Sequence, residues 1–359
     1  MRPIGAAWTT VRVLATAAGV LRVARAARRR LPLTASASDV GPISVVIPAR
    51  DEEGRIGPLL ARVVGAPGVV EVLVVDDESS DATAAVATAA GATVVAGRPL
   101  PSGWVGKAWA LQQGLDAAAG EWVVTLDADT RPAAELPRAL AARTSDAGLD
   151  LLTVAGRFDC PTAPLRWLHP ALLTTLLYRA PPPGAVAAGP VHRRMGNGQC
   201  TAFRRSTLVA AGGFGAVAHH VVEDVALVRS MAAAGFAVDF LDASSLLTVR
   251  MYETAADAWR GWGRSLSLPG VDGRWRRAGD LVVVAAAQLL PMARLVTRRA
   301  DVLDGVALAT RLGTLVGTRS AYLRRGPPYW LSPLADGPAL VALAAGLTPR
   351  HPRWRGRTY

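Results

Sequence analysis

A chain of 359 residues can hold one large domain with appendages or two ordinary ones. With 51% hydrophobic and 19% charged residues it excludes disorder as the dominant state, and two cysteines, Cys160 and Cys200, exclude a disulfide framework or a cysteine-based metal cluster. The net charge of +12 is uneven: residues 1–40 carry +6, residues 41–259 carry −5 and residues 260–359 carry +11. An acidic middle argues against a nucleic-acid reader, whose binding domain is itself basic. Basic, apolar flanks instead suit a chain resting on an anionic membrane surface. Lys107 is the only lysine among 40 basic residues.

The first stretch, Ala6 to Ala27, is apolar but interrupted by Arg12, Arg22 and Arg25, and Arg28–Arg30 follow it. It reads as an amphipathic surface helix or a marginal span with snorkelling arginines, not as a cleaved signal peptide. From Ile43 the chain alternates. Strands are predicted at Ile43–Ile47, Val70–Val75, Thr93–Val95, Trp122–Leu126 and Leu151–Ala155, with helices near Ile56–Val64, Ala82–Ala89, Lys107–Ala118 and Ala133–Ala142. Solidly apolar strands separated by helices imply an α/β fold, its mostly parallel central sheet covered by helices on both faces. A further helix is predicted at Val225–Ala234. Beyond it come apolar segments at Leu281–Ala293, Val302–Val316 and Leu331–Leu347, each short for a hydrocarbon thickness of about 30 Å. Spanning, re-entrant and interfacial readings all stand for them, beside that of a packed helical layer. The expected division is a basic N-terminal membrane-proximal segment at 1–40, a catalytic domain at 41–270 and a helical, membrane-associated region at 271–359.

Ligands of such sheets bind beyond the carboxyl ends of the strands, and here those ends are acidic. The first strand runs into Pro48-Ala49-Arg50-Asp51-Glu52-Glu53, the second into Asp76-Asp77-Glu78-Ser79-Ser80-Asp81, and the fourth into Asp127-Ala128-Asp129. A dinucleotide-binding fold would place a glycine-rich turn after its first strand, so that reading is excluded. Carboxylates serve a nucleotide in two other ways. They accept hydrogen bonds from ribose and base, and they hold a divalent cation that neutralises a diphosphate.

Taken in order, Ile43–Glu53 (ISVVIPARDEE), Val72–Thr83 (VLVVDDESSDAT), Gly103–Gly114 (GWVGKAWALQQG), Thr125–Asp129 (TLDAD), Gly196–Phe203 (GNGQCTAF) and Glu223-Asp224-Val225 resemble the successive signatures of family 2 glycosyltransferases of the GT-A fold. Trp259-Arg260-Gly261-Trp262 stands where many members place Q-x-x-R-W. The resemblance spans roughly residues 41–270, and the Gly-Trp-x-Gly-Lys element with the apolar tail looks most like members of carotenoid and hopanoid pathways. Asp51 departs from the usual Asn, and Glu78 from the common Gly.

The resemblance implies sugar transfer from a nucleotide diphosphate with inversion at the anomeric carbon. Asp76, Asp77, Glu52 and Pro48 would line the nucleotide, and Lys107 would reach the diphosphate. Asp129, with Asp127, would hold Mg²⁺ or Mn²⁺. Asp224 would take the acceptor proton. Gly198, Gln199, Glu223, Arg260 and Trp262 would face the sugar and acceptor. Asp81 is assigned to capping a helix, and Trp104 and Trp109 to packing. The implied partners are a sugar nucleotide, a lipid-like acceptor (carotenoid, hopanoid, polyprenyl phosphate or glycerolipid) and the membrane surface, with no nucleic acid. The catalytic domain is expected at the cytoplasmic face of the cell membrane. Two alternatives stand beside this: a nucleotidyltransferase making a sugar nucleotide, which would begin with a basic glycine-rich loop, and a non-catalytic sugar-nucleotide-binding protein.

Overall fold

A computed structural model describes residues 3–186, 189–347, 353–354 and 357–358. The extreme ends of the 1–40 and 271–359 segments lie outside the described residues. The chain opens with α1 (Pro3–Ala27), then alternates β1 (Ile43–Ala49), α2 (Glu53–Val63), β2 (Val69–Asp76), α3 (Thr83–Ala89), β3 (Thr93–Ala96), α4 (Gly106–Ala117) and β4 (Trp122–Leu126). It continues through β5 (Thr130–Pro132), α5 (Leu136–Asp146), β6 (Leu151–Ala155), β7 (Arg157–Phe158), α6 (Ala163–Leu177), β8 (Cys200–Arg204), α7 (Arg205–Ala210), α8 (Glu223–Ala233), β9 (Val238–Asp242) and β10 (Leu247–Val249). The rest is helical: α9 (Ala255–Ser265), α10 (Arg274–Val284), α11 (Leu290–Val296), α12 (Val302–Thr318), α13 (Pro327–Trp330) and α14 (Asp336–Ala345). Two short strands, β11 (Arg353–Trp354) and β12 (Arg357–Thr358), close it.

Two compact units interleave along the sequence. The sheet unit takes Arg30–Phe158, Pro190–Met251 and His351–Tyr359; the helical unit takes Met1–Arg29, Asp159–Gly189 and Tyr252–Arg350.

The sheet unit is α/β, as its strand–helix alternation predicts. Its seven strands run in the order β3-β2-β1-β4-β8-β6-β9. β1 is parallel to β2 and β4, β2 to β3, and β6 to β9, while β8 runs antiparallel between β4 and β6. The central strands are apolar on both faces, and Ile43, Val45, Val46 and Ile47 are fully buried beneath α2, α4 and α5 side chains such as Ile56, Leu60, Leu111 and Leu140. A second sheet, β5-β10-β7, flanks the exit of β4. Predicted and observed strands agree at β4 and β6 and to within two residues at β1, β2 and β3. The seven-stranded sheet has two strands that were not predicted, β8 and β9, and the short strands of the second sheet were not predicted either; β8's Cys-Thr-Ala-Phe-Arg lacks the long branched run of its neighbours.

The helical unit follows a different logic. Arg12 of α1 is not a snorkelling surface residue: it is 6% exposed and pairs with Asp301 and Asp304 at 2.8 and 2.9 Å. Arg22 reaches the Tyr178 carbonyl and Asp280. Arg311 of α12 forms a bidentate, buried pair with Asp336. One helix among the described residues, Arg274–Val296 with a π-helical turn at Ala285–Leu289, is long and apolar enough by length and composition to cross a membrane; a third of its apolar window is buried.

Candidate active site

The carboxyl ends of β1, β2 and β4 bring the three acidic loops to one edge of the sheet unit. β8 runs the other way, so the segment that leads into it, Gly196–Gln199, arrives at that edge too. The Asp127 N–H donates to the Gln199 carbonyl at 3.0 Å, one step beyond the Leu126–Cys200 register pair.

Lys107, in the first turn of α4, stands at the centre. Its Nζ lies 2.9 Å from Asp127 Oδ1 and 3.0 Å from Glu223 Oε1, so it joins the exit of β4 to the start of α8. Asp224, beside Glu223, is fixed by two N–H donors: Gly198 gives to Oδ2 and Val225 to Oδ1, both at 2.8 Å. A side chain at Gly198 would crowd this packing. A Cβ there would meet Lys107 Nζ at 2.9 Å and Glu223 Oε1 at 3.0 Å. Gly196 passes equally close to the Asp224 carbonyl, where a Cβ would stand at 2.6 Å. Thr153 of β6 holds this segment by exchanging hydrogen bonds with the backbone of Asn197 at 2.8 and 2.9 Å. Nothing in the local sequence marks Thr153, because its partner lies 44 residues away. The Asn197 amide donates to Gln199 Oε1, which orders the Gln199 side chain.

One ammonium among three carboxylates leaves the cluster negative. Burial alone would lower the Lys107 pKa, but Asp127, Glu223 and Asp224 outweigh it and keep the amine firmly protonated. Burial, then the charge of Glu223, pushes Asp224 up to about 6 against the opposing pull of Lys107 and its two N–H donors. Burial likewise pushes Asp127 up to about 6, with Lys107 opposing and Asp129 adding. Asp129 is raised by burial and by the nearby charge of Glu52.

The first two acidic loops are laced together. Asp51 accepts from Ser80 N at 2.8 Å, Glu53 accepts from Ala82 N at 2.9 Å, and the Glu52 N–H donates to Thr83 Oγ1. Asp81 accepts from Thr83 N at the opening of α3, the capping role assigned to it. Asp51 and Glu78 adopt left-handed backbone with φ of +52° and +57°. Those are the two positions where the family resemblance leads one to expect Asn and Gly, the residues that tolerate that region best. Asp77 is 1% exposed, its N–H bound to the Ala49 carbonyl and its carboxylate 3.9 Å from the Arg50 guanidinium. Pro48 is in register with Val75 within the β1–β2 pair.

Fixed acids and available ones thus separate. Asp51, Glu53 and Asp81 accept backbone N–H groups of the loops. Asp76 Oδ1 and Asp129 Oδ1 are buried without a hydrogen-bond partner, and a buried carboxylate oxygen without a partner is costly unless a ligand or cation completes it. Among the described residues no three His, Cys, Asp or Glu side chains form a ready metal cage. A cation at Asp129 and Asp127 fits as Mg²⁺ or Mn²⁺ commonly bind, through one or two carboxylates with the remaining oxygens from substrate phosphate and water.

Arg260 and Trp262 belong to the helical unit. There Arg260 is exposed and pairs with Asp257 at 2.7 Å, while Trp262 is buried edge-on to His169. Trp104 and Trp109 pack edge to face with centroids 5.0 Å apart, and Arg98 covers Trp109.

Residues 44–208 match the family model described as Glycosyl transferase family 2. The 4,4'-diaponeurosporenoate glycosyltransferases of Staphylococcus aureus strains MRSA252 and USA300 are each 42% identical over 88 residues, 24% of this chain and 24% of theirs. The chain therefore spans about a quarter of the length of these curated relatives. Among solved structures, glucosyl-3-phosphoglycerate synthase from Mycobacterium tuberculosis with Mn²⁺, uridine diphosphate and glucosyl-3-phosphoglycerate is 21% identical. Its TM-score is 0.44, over 67% of this chain and 86% of that one. A structure described only as a mycobacterial protein is 25% identical with a TM-score of 0.43, over 68% and 75%.

Proposed function

We propose, from the match of residues 44–208 to the glycosyl transferase family 2 model, that this protein transfers a sugar from a nucleotide diphosphate to a hydroxyl of a lipid-like acceptor, with inversion, at the cytoplasmic face of the cell membrane. The observation that carries the reading is Asp224. Its carboxylate is held by two backbone N–H groups at the mouth of an acidic cluster, with its pKa raised to about 6, where a general base is both ionised near neutral pH and basic enough to take a proton.

Asp76, Asp77 and Glu52 line the nucleotide, with Pro48 in the strand that leads into their loops. Asp129 and Asp127 hold a divalent cation, which when bound supplies Lewis-acid neutralisation of the charge growing on the leaving diphosphate. Lys107, already protonated and bridging Asp127 to Glu223, adds a compact positive charge on the same side. Gly198 and Gln199 let the backbone approach the sugar closely, and Glu223 orients Lys107 beside Asp224. Asp224 accepts the proton of the acceptor hydroxyl as its oxygen attacks the anomeric carbon. Among carotenoid, hopanoid, polyprenyl phosphate and glycerolipid acceptors, the names of the Staphylococcus aureus relatives favour a carotenoid.

The test is nucleoside diphosphate release from a panel of sugar nucleotides, with Mn²⁺ and each lipid acceptor, by wild type and Asp129→Ala. Acceptor-dependent release that needs the cation, together with loss of cation-dependent donor binding in the variant, is the expected result. Release from no donor with any acceptor overturns the reading.

A further inference from the structure

Three helices of the helical unit are inside out relative to helices in water. In α1 the inward stripe is Arg12, Ala15, Thr16 and Gly19, while Trp8, Val11, Leu14 and Leu21 point outward at 40–65% exposure. In α12 the inward stripe carries Asp304, Arg311, Thr314 and Thr318, and Val302, Val306, Leu312 and Val316 face out. The Arg274–Val296 helix turns Asp280 and Gln288 inward and Trp275, Val282 and Val296 outward. Among the described residues, every large exposed apolar side chain except Leu31, Val70 and Val209 belongs to this unit. A surface helix in water places its apolar stripe against the core and its charges outside.

We propose that α1, the Arg274–Val296 helix and α12 are embedded side by side in the hydrocarbon of a lipid bilayer, apolar faces on the acyl chains and charges turned inward. Charged groups within membranes face the bundle interior and pair with one another, as Arg12 does with Asp301 and Asp304, Arg294 with Asp304, and Arg22 with Asp280. Small residues line close helix contacts in lipid, and Ala15, Thr16 and Gly19 occupy that place in α1. The lengths agree: 17 residues in α12 reach about 26 Å and 23 in Arg274–Val296 about 35 Å. Exposed Arg298 and Arg299, in the turn before α12, suit anionic headgroups. A second protein would cover one patch with a polar rim; here the apolar residues run along three helices. Composition alone leaves α1 and α12 open between a span and a packed helix, because it does not say which way their charges point. The inference rests on the membrane part of the functional reading and is independent of the sugar chemistry.

The test uses the full chain in anionic phosphatidylglycerol liposomes with a lipid carrying a photoactivatable diazirine in its acyl chain. Wild-type peptides spanning residues 8–21 and 302–316 should be labelled at least tenfold more than peptides from the seven-stranded sheet. Single-cysteine variants Leu14→Cys, Val306→Cys and Leu312→Cys should react with a water-soluble maleimide at least tenfold more slowly than Val70→Cys, since Cys160 and Cys200 are buried and add little background. Equal maleimide rates, or no acyl-chain labelling of α1 and α12, overturn the proposal. Protection without lipid, accompanied by cross-links between copies, overturns it in favour of a second copy. Sugar-nucleotide turnover is measured on the same samples, so a failed catalytic reading leaves the labelling result intact.

Discussion

In the helical unit each buried aspartate among the described residues has an arginine within 3.4 Å: Asp272 with Arg276, Asp280 with Arg22, Asp304 with Arg12 and Arg294, and Asp336 with Arg311. In the sheet unit one ammonium, Lys107, faces Asp127, Glu223 and Asp224, and Asp129 keeps a buried oxygen without a hydrogen bond. Both are buried ionic clusters, yet the first is closed on itself and the second is short of positive charge. A closed pair holds helices in place. A deficit stores affinity for a cation or for the donors of a substrate, at a cost in stability. Charge balance, more than burial, separates the scaffold from the site.

The largest test of that contrast is Asp224→Asn. The amide keeps nearly the same volume and can still accept the Gly198 N–H, but it takes no proton. Transfer should fall about 10²–10⁴-fold while calorimetry finds sugar-nucleotide affinity unchanged. Turnover like that of wild type would move the base elsewhere, with Glu223 the next carboxylate in line.

Arg311→Met should act on stability instead. Stranding Asp336 in a buried site costs about 3–5 kcal/mol, read as a lower unfolding midpoint in detergent, and adding Asp336→Leu should recover most of it. If the single variant unfolds like wild type, the closed clusters are not what holds the helical unit.

The two units should also part company with pH. Because the Asp224 carboxyl is raised to about 6, kcat/KM should climb about tenfold per pH unit below 6 and level off above it. Stability should move the other way. The folded carboxyl binds its proton more tightly than the unfolded one, so the sheet unit gains stability as pH falls from 6 toward 4 and loses it as pH rises through 6. Parallel pH scans of rate and of unfolding midpoint test both slopes, and the midpoint of the rate limb belongs to the Asp127–Asp224 cluster as a whole. The smallest effect belongs to Gly198→Ala. The flexible end of Lys107 can yield to the new methyl, so the unfolding free energy should change by less than about 0.5 kcal/mol while transfer drops about tenfold through misplacement of the ammonium. An unchanged rate would show that Lys107 need not sit between Asp127 and Glu223.

Much of the sheet unit was legible because its signals are local. An unbroken apolar run such as Trp122–Leu126 declares a covered parallel strand, and the acids that follow it declare the ligand edge. Asp51 and Glu78 were visible as departures, and the left-handed backbone beneath them is the reason Asn and Gly would suit those positions. What could not be read is what chain distance hides. Lys107 and Glu223 are 116 residues apart, Arg12 and Asp304 292 apart, and no window along the sequence holds both members. β8 escaped because an antiparallel strand of small residues gives neither an alternating nor a continuous apolar pattern. The inverted polarity of α1 and α12 escaped because hydropathy counts charges without regard to the face that carries them.

A solitary lysine has a chemical consequence. The chain has no other side-chain amine to meet an acylating reagent, and this one is clamped between carboxylates that hold it protonated and therefore unreactive. A mild succinimidyl ester should thus spare the closed site and modify Lys107 only when the clamp lets go, as when Asp127 turns to another partner. The rate of acylation at Lys107, followed by the mass of its own peptide so that the α-amine is counted apart, is a clock for the opening of the cluster, built into the native protein with no probe attached.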